Sequence, residues 1–369
     1  MTSYKHLFQR ALAAAPERLH FAAHSHHLWP DASYIGQIAA WEDGVRLADR
    51  KWERVMGEIW PAAQGHVAAE LKLPDPDTIV FAPNTHELLL RIASARPGPL
   101  RILTSDGEFH SFRRQSMRWE EAGNATVERV PLDRIVEHAK TGTHDLIFVS
   151  QVQFGTGHVF NGIAELAALA KPEGPWVVID GYHAFMAMET DLSAVADKIF
   201  YLAGGYKYAM AGEGCAFLHA PPGFGPRPEI TGWYAEFEDL ALPPGSIGYA
   251  PDGRRFLGAT FDPSGIYRFV AVRDMLRQED LNTAAIAAHV DALRAQLLAE
   301  LPIEAELLNP GSPARFLALR TPDAQRWKAE LEAEDVITDV RGDVLRIGFG
   351  LYQDARDVKQ LIEALSWLK

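Results

Sequence analysis

Between residues 78 and 205 five short, almost wholly apolar runs recur, each ending in a polar or glycine-rich turn. They are TIVFAP (78–83), RILTSDG (101–107), HDLIFVSQVQF (144–154), WVVIDGYHAF (176–185) and KIFYLAGG (198–205). Runs without polar alternation suit strands covered on both faces. Their interleaving with helical segments such as THELLLRIAS (85–94) and IAELAALA (163–170) implies an α/β fold built on a largely parallel sheet. Open sheets of this kind bind ligands beyond the carboxyl ends of their strands. The residues just past these runs are therefore the first candidates for a site.

The flanking segments suggest further organisation. Residues 31–71 read as helix, with Asp31 as N-cap after Pro30. The Pro- and Gly-rich stretch 221–265 reads as loop or domain joint. Asp262 and Pro263 predict an N-cap and N1 proline for a helix over roughly 264–278. A second helix carries Ile286, Val290, Leu293 and Leu297 on one face. Strand candidates FLALR (316–320) and VLRIGFG (344–350) follow, then a final helix with Val358, Leu361, Ile362 and Leu365 at amphipathic spacing. The division expected is a segment 1–30 packing on a small domain, a large domain 31–262, and a smaller α+β domain 263–369.

Composition narrows the function class. A net charge of −13 argues against nucleic-acid binding, which needs a basic surface, and against attachment to anionic membranes. The single cysteine, Cys215, excludes an internal disulfide framework and fits a reducing compartment. No apolar run is long enough to span a bilayer, and Lys5, Arg10, Glu17 and Arg18 interrupt the N-terminus where a signal peptide needs an apolar core. A cytoplasmic location is expected.

One lysine stands out. The segment LAGGYKYAMAGEGCAFL (202–218) places Lys207 between two tyrosines among small and apolar residues. A lysine there either snorkels from a strand end or sits desolvated, with a lowered pKa and a nucleophilic amine. Asp180 ends the run WVVID; it suits a helix cap, or an anion beside a protonated pyridine ring. His183 follows three residues later and is either structural or a support for such a ring. In PNTHELLL, residues Asn84, Thr85 and His86 open a helix, as plain caps or as a phosphate cradle. Phe109, in SDGEFHSF, is ordinary packing or a stacking surface.

Taken in order, these elements resemble the fold-type I pyridoxal-phosphate (PLP) enzymes of the class V aminotransferase group, and within it most resemble kynureninase. SQVQFGTGHVFN (150–161) resembles the family's Ser-x-Val-x-aromatic-x-Thr-Gly segment, and IDGYHA (179–184) its Asp-x-x-His motif. GGYKYAMAGEG (204–214) resembles its Tyr-Lys-Tyr element, TGWYAE (231–236) its Gly-Trp-aromatic loop and GATFDP (258–263) a Gly-x-Thr loop near the phosphate. LRIGFGLY (345–352) resembles the segment whose arginine grips the substrate carboxylate.

The resemblance implies a large domain with a mainly parallel seven-stranded sheet. It also implies PLP as cofactor, an amino-acid substrate and a homodimer. Lys207 would carry the cofactor as a Schiff base and move protons, with Asp180 paired to the pyridinium and Phe109 stacked on it. His183 would support the ring, and Asn84, Thr85, His86, Tyr206 and Trp233 would serve its phosphate end, with Thr260 supplied by a second subunit. Tyr206 would relay a proton. Arg346 would bind the substrate α-carboxylate through its planar fork, with Ser25 and His26 at the substrate mouth. The reaction implied is hydrolysis of the Cβ–Cγ bond of a γ-keto amino acid, with a class V aminotransferase or related lyase as the alternative.

Other readings fit less well. His24, His26 and His27 lack zincin spacing and a nearby carboxylate, so no metal site is expected. Cys215 lies in the apolar stretch GCAFL, which disfavours a cysteine desulfurase. No Gly-x-Ser-x-Gly elbow is present, and AGGYKYAMAGEG has neither the place nor the spacing of a dinucleotide-binding turn. A regulator built on the same fold would need a DNA-reading domain, and none is visible.

Overall fold

Each apolar run becomes a strand in the computed structural model, which describes residues 2–239 and 245–368. The central sheet contains β1 (Ile79–Ala82), β2 (Leu100–Ser105), β3 (Ala125–Val130), β4 (Leu146–Ser150), β5 (Trp176–Asp180), β6 (Ile199–Gly204) and β7 (Ala216–His219). Their order is β1-β7-β6-β5-β4-β2-β3. Neighbours run parallel except at β7, which is antiparallel to both β1 and β6. This is the mainly parallel seven-stranded α/β architecture expected. Strands β1, β4, β6 and β7 are buried along their whole length. Edge strand β3 is buried only at its two ends, Ala125 and Val130, so it lacks the apolar signature of the others.

Among the helices are α1 (Asp31–Leu47), α2 (Thr85–Ser94), α3 (His110–Glu121), α4 (Ser264–Gln278), α5 (Thr283–Ala299), α6 (Ala324–Ala333) and α7 (Ala355–Leu365). The helical tract 31–71 is broken at Ala48, which takes φ 52°. Two caps sit one residue away from their expected places. Asp31 is the first residue of α1 rather than its cap, and its carboxylate accepts from the Arg10 amide at 3.0 Å. Pro263 caps α4, while the Asp262 carboxylate accepts from the Ser264 amide at 2.9 Å.

A second sheet, antiparallel throughout, comprises β8 (Glu306–Leu307), β9 (Phe316–Arg320), β10 (Asp339–Arg341) and β11 (Val344–Gly348), in the order β10-β11-β9-β8. Its apolar faces pack with α5, α6 and α7 through Leu293, Leu297, Leu317, Trp327, Ile347, Leu361 and Leu365. The N-terminal segment joins this unit. Leu19–His20 pair in parallel with Val336–Ile337, and the Lys5 amine lies 2.7 Å from Asp357. The chain then runs past β11 toward the carboxyl ends of the large sheet.

Those ends are aligned by register. Ser150 pairs with Asp180, and Asp180 with Leu202. The turn after β5 must be tight: a Cβ on Gly181 would stand 1.9 Å from the Tyr201 hydroxyl oxygen. Glycine lets the backbone pass beneath that ring, so Asp180 ends its strand at the cavity wall. Among the described residues no helix is long and apolar enough to cross a membrane.

Candidate active site

A cavity of about 540 Å³ opens over the carboxyl ends of β4, β5 and β6. Lys207 lies in the turn between β6 and β7, not within a strand, and reaches the cavity from below. Its Nζ is 2.8 Å from Nε2 of His183, 5.6 Å from the ring centre of Phe109 and 5.7 Å from that of Tyr182. Burial, reinforced by the Arg346 guanidinium and opposed by Asp180, lowers the amine pKa to about 7. At neutral pH a large fraction of this amine is therefore free base.

Burial raises the Asp180 carboxyl above its usual range, against the pull of the Tyr182 amide and the Lys207 charge. Its Oδ1 accepts from the Tyr182 N–H at 2.9 Å. His183 is buried, and burial with the charges of Lys207 and Arg346 holds its imidazole neutral. Its Nδ1 has no protein partner among the described residues.

The N-terminus of α2 borders the same cavity. Asn84 caps it, its side-chain oxygen accepting from the Glu87 amide at 3.0 Å. Thr85 opens the first turn, and Thr85 and His86 line the cavity. The free N–H groups of that turn suit an anion. Phe109 caps α3 on the cavity side and meets Phe154 edge-on with ring centres 5.3 Å apart. Tyr206 and Ser25 complete this part of the lining.

Arg346, on β11, is buried but not free. Its Nη2 donates to Asp339 Oδ2 and its Nη1 to the Phe154 carbonyl. Burial lowers its pKa to about 10.

Three residues expected at the site lie elsewhere. His26 does not line the cavity; it meets the outer edge of Tyr206, ring centres 5.2 Å apart. Trp233 and Thr260 also lie outside the cavity of the single chain, where Trp233 Nε1 donates to Thr260 Oγ1 at 3.3 Å. They sit on the loop stretch between β7 and α4, whose position sequence pattern does not fix. His24 and His27 are packing residues. His24 stacks on Phe316 at 4.9 Å, and His27 Nδ1 bonds the Leu28 carbonyl at 2.7 Å.

The structure adds residues with no sequence signal of their own. Glu108, buried beneath the cavity floor, accepts from Ser105 Oγ and Ser150 Oγ at 2.5 Å and from the Ser150 amide at 3.1 Å. Burial raises its pKa to about 7. Tyr182, Phe154 and Arg341 also line the cavity. Arg341 belongs to a three-residue strand too short to read as one, although its position five residues before Arg346 was visible.

The expected cofactor makes four demands, and the cavity meets them. Its aldehyde needs a free amine, which Lys207 offers, and its ring nitrogen needs an anion, which Asp180 offers. Its ring needs an apolar face, which Phe109 offers, and its phosphate needs free N–H donors, which the first turn of α2 offers.

Comparison with known proteins agrees. Residues 50–313 match the family described as aminotransferase class-V. The isopenicillin N epimerase of Streptomyces clavuligerus is 28% identical over 347 residues, 84% of this chain and 84% of that protein. A probable cysteine desulfurase of Pseudomonas aeruginosa is 28% identical over 346 residues, 82% and 81% of the two chains. A variant of the cystine C–S lyase C-DES with glycine covalently linked to its PLP cofactor superposes with a TM-score of 0.80 at 16% identity, covering 100% of both chains.

Proposed function

The chain belongs to the aminotransferase class-V family and uses pyridoxal 5′-phosphate; on that footing we propose that it breaks the Cα–H bond of an α-amino acid, with Lys207 as the residue that holds the cofactor and moves the proton. The observation that carries this reading is the Lys207 amine, brought to a pKa of about 7 in a cavity that also presents Asp180 and Arg346.

Bound PLP supplies an electron sink for the pair left when a bond to Cα breaks. The rest falls to this chain's side chains. Arg346 takes the substrate α-carboxylate and fixes which bond at Cα faces Lys207. Once released from the cofactor, the Lys207 amine accepts the Cα proton as a general base. Asp180 keeps a proton on the ring nitrogen, and its bond from the Tyr182 amide holds the carboxylate in place. Phe109 limits ring tilt, and Phe154 and Val152 exclude water from the reacting carbon.

For the later steps we propose hydrolysis of the kynureninase type. Water adds to a γ-carbonyl, the Cβ–Cγ bond breaks, and the γ-carbon leaves as a carboxylic acid while Cβ takes a proton from Tyr206, giving alanine. The aromatic lining by Phe109, Phe154 and Tyr182 supports an aryl ketone side chain. A second reading, epimerisation at Cα or cleavage of a Cβ–S bond, draws support from the relatives named above. Transfer of sulfur to a protein cysteine is disfavoured, because burial pushes the thiol of Cys215 up to about 12.

Incubation of the PLP-loaded protein with L-kynurenine tests the finer reading. It requires anthranilate and alanine in equal amounts. Exchange of the α-hydrogen of amino acids in D2O without side-chain cleavage moves the assignment to epimerisation. Absence of both exchange and cleavage across a panel of amino acids removes the proposal.

A further inference from the structure

The guanidinium expected to grip a substrate carboxylate is already paired. Asp339 and Arg346 face each other directly in the β10–β11 register, and Arg346 Nη2 donates to Asp339 Oδ2. An isolated Arg346–Asp339 pair is neutral and offers an incoming carboxylate no net attraction. Asp339 has a second partner, however: its Oδ1 accepts from Arg341 Nη1 at 2.6 Å. Both guanidinium groups line the cavity, and the carboxylate between them does not.

Two cations against one anion leave one positive charge directed at the cavity. One substrate carboxylate neutralises it. His24 does not disturb the count: its Nε2 is 3.7 Å from Asp339, but burial and the Arg346 charge hold it neutral. Nε of Arg341 and Nε of Arg346 are each buried and lack a protein acceptor among the described residues. A buried cation that is fully paired is a poor ligand, because its partner must be displaced first.

We propose that Arg341 is a positioning residue for carboxylate recognition: by sharing Asp339 it leaves Arg346 with net positive charge toward the cavity, and the three side chains act as one carboxylate site. The inference rests on the amino-acid reading above. Arg341 acts mainly through Arg346, so the effect of removing it depends on the charge of Asp339.

The test uses the PLP-loaded protein and two probes of one shape, 3-phenylpropanoate and its amide, titrated calorimetrically. Wild type binds the acid more tightly than the amide. Arg341→Gln weakens acid binding by about ten-fold or more, the scale of a lost charged contact, and leaves amide binding unchanged. The double variant Arg341→Gln/Asp339→Asn recovers acid binding to within about three-fold of wild type, because the charge balance at Arg346 is restored. A merely structural role for Arg341 predicts no rescue. Equal binding of acid and amide by wild type, unchanged acid binding in Arg341→Gln, or a double variant as weak as the single one overturns the proposal. Failure of the parent reading shows separately, as the absence of a borohydride-fixed pyridoxyl group on Lys207.

Discussion

Nζ of Lys207 stands 2.8 Å from Nε2 of His183, with the lysine on the turn after β6 and the histidine just past the end of β5. Two strand ends thus bring together a free amine and a neutral imidazole inside one cavity. That arrangement has a consequence for the cofactor-free protein. The amine titrates at about 7 when folded and at about 10.4 when unfolded. Between those values the unfolded chain holds one more proton than the folded one, so stability rises with pH across that window. Lys207→Met removes this contribution. Thermal midpoints of both proteins at pH 7, 8 and 9 check it: the wild-type curve climbs relative to the variant. Parallel curves contradict the assigned environment of the lysine.

Glu108 gives the opposite slope at lower pH. Its folded pKa is about 7, against about 4.3 in an unfolded chain. The folded protein therefore binds the extra proton between these values, and stability falls as pH rises through them. Glu108→Gln keeps the shape and the contacts with Ser105 and Ser150 but cannot ionise. The variant gains stability relative to wild type as pH goes from 5 to 7 in denaturant titrations. Glu108→Ala leaves the Ser150 amide and hydroxyl without their carboxylate partner and costs about 1–3 kcal/mol. A Glu108→Gln protein that tracks wild type at every pH rules out the proton.

Asp180→Asn separates charge from geometry. An asparagine oxygen still accepts from the Tyr182 amide, now 2.9 Å from the carboxylate, so folding is retained. On the proposed reading this change removes the anion beside the ring nitrogen, and with it the electron sink. Turnover falls about 100-fold or more, while Asp180→Glu retains part of it. Near-wild-type turnover by Asp180→Asn assigns the carboxylate a structural role.

Much of this site was legible because strand ends are legible. Asp180 and Lys207 follow two of the most apolar runs in the chain, and the turns after such runs are where α/β sheets hold ligands. The large sheet was read from its buried strands, and β3 escaped because this edge strand is buried only at its ends. Glu108 escaped for another reason. Its hydrogen bonds reach Ser150, 42 residues away, and nothing local marks a glutamate as buried. The pairing of Arg346 with Asp339 depends on register across a hairpin, which one strand's pattern does not set. Trp233 and Thr260 were assigned from loop motifs, and loops take their place from what surrounds them.

Cys215 separates sulfur transfer from the other reactions. Its thiol is buried and pushed up to about 12 by desolvation. A group in that state supplies almost no thiolate at neutral pH. Cys215→Ala therefore leaves turnover of every amino-acid substrate within about two-fold of wild type, with a stability loss below about 1.5 kcal/mol for a small buried group. Loss of turnover with the fold intact, judged by circular dichroism and cofactor absorbance, would revive the desulfurase assignment.

Trp233 and Thr260 test whether a second copy completes the site. In one chain they bond each other outside the cavity, yet the loop motifs that carry them resemble phosphate-end elements. Trp233 is 42% exposed, with its ring centre 4.0 Å from that of Tyr234. If that loop serves the neighbouring subunit of a homodimer, two inactive variants complement each other. Lys207→Ala and Trp233→Ala proteins are unfolded, mixed and refolded with PLP. A hybrid dimer then has one site with an intact lysine from one subunit and an intact tryptophan from the other. Half the dimers are hybrids and half their sites are whole, so activity returns to about a quarter of wild type. With the tryptophan acting within its own chain, every site lacks one residue or the other and the mixture remains as inactive as its parts.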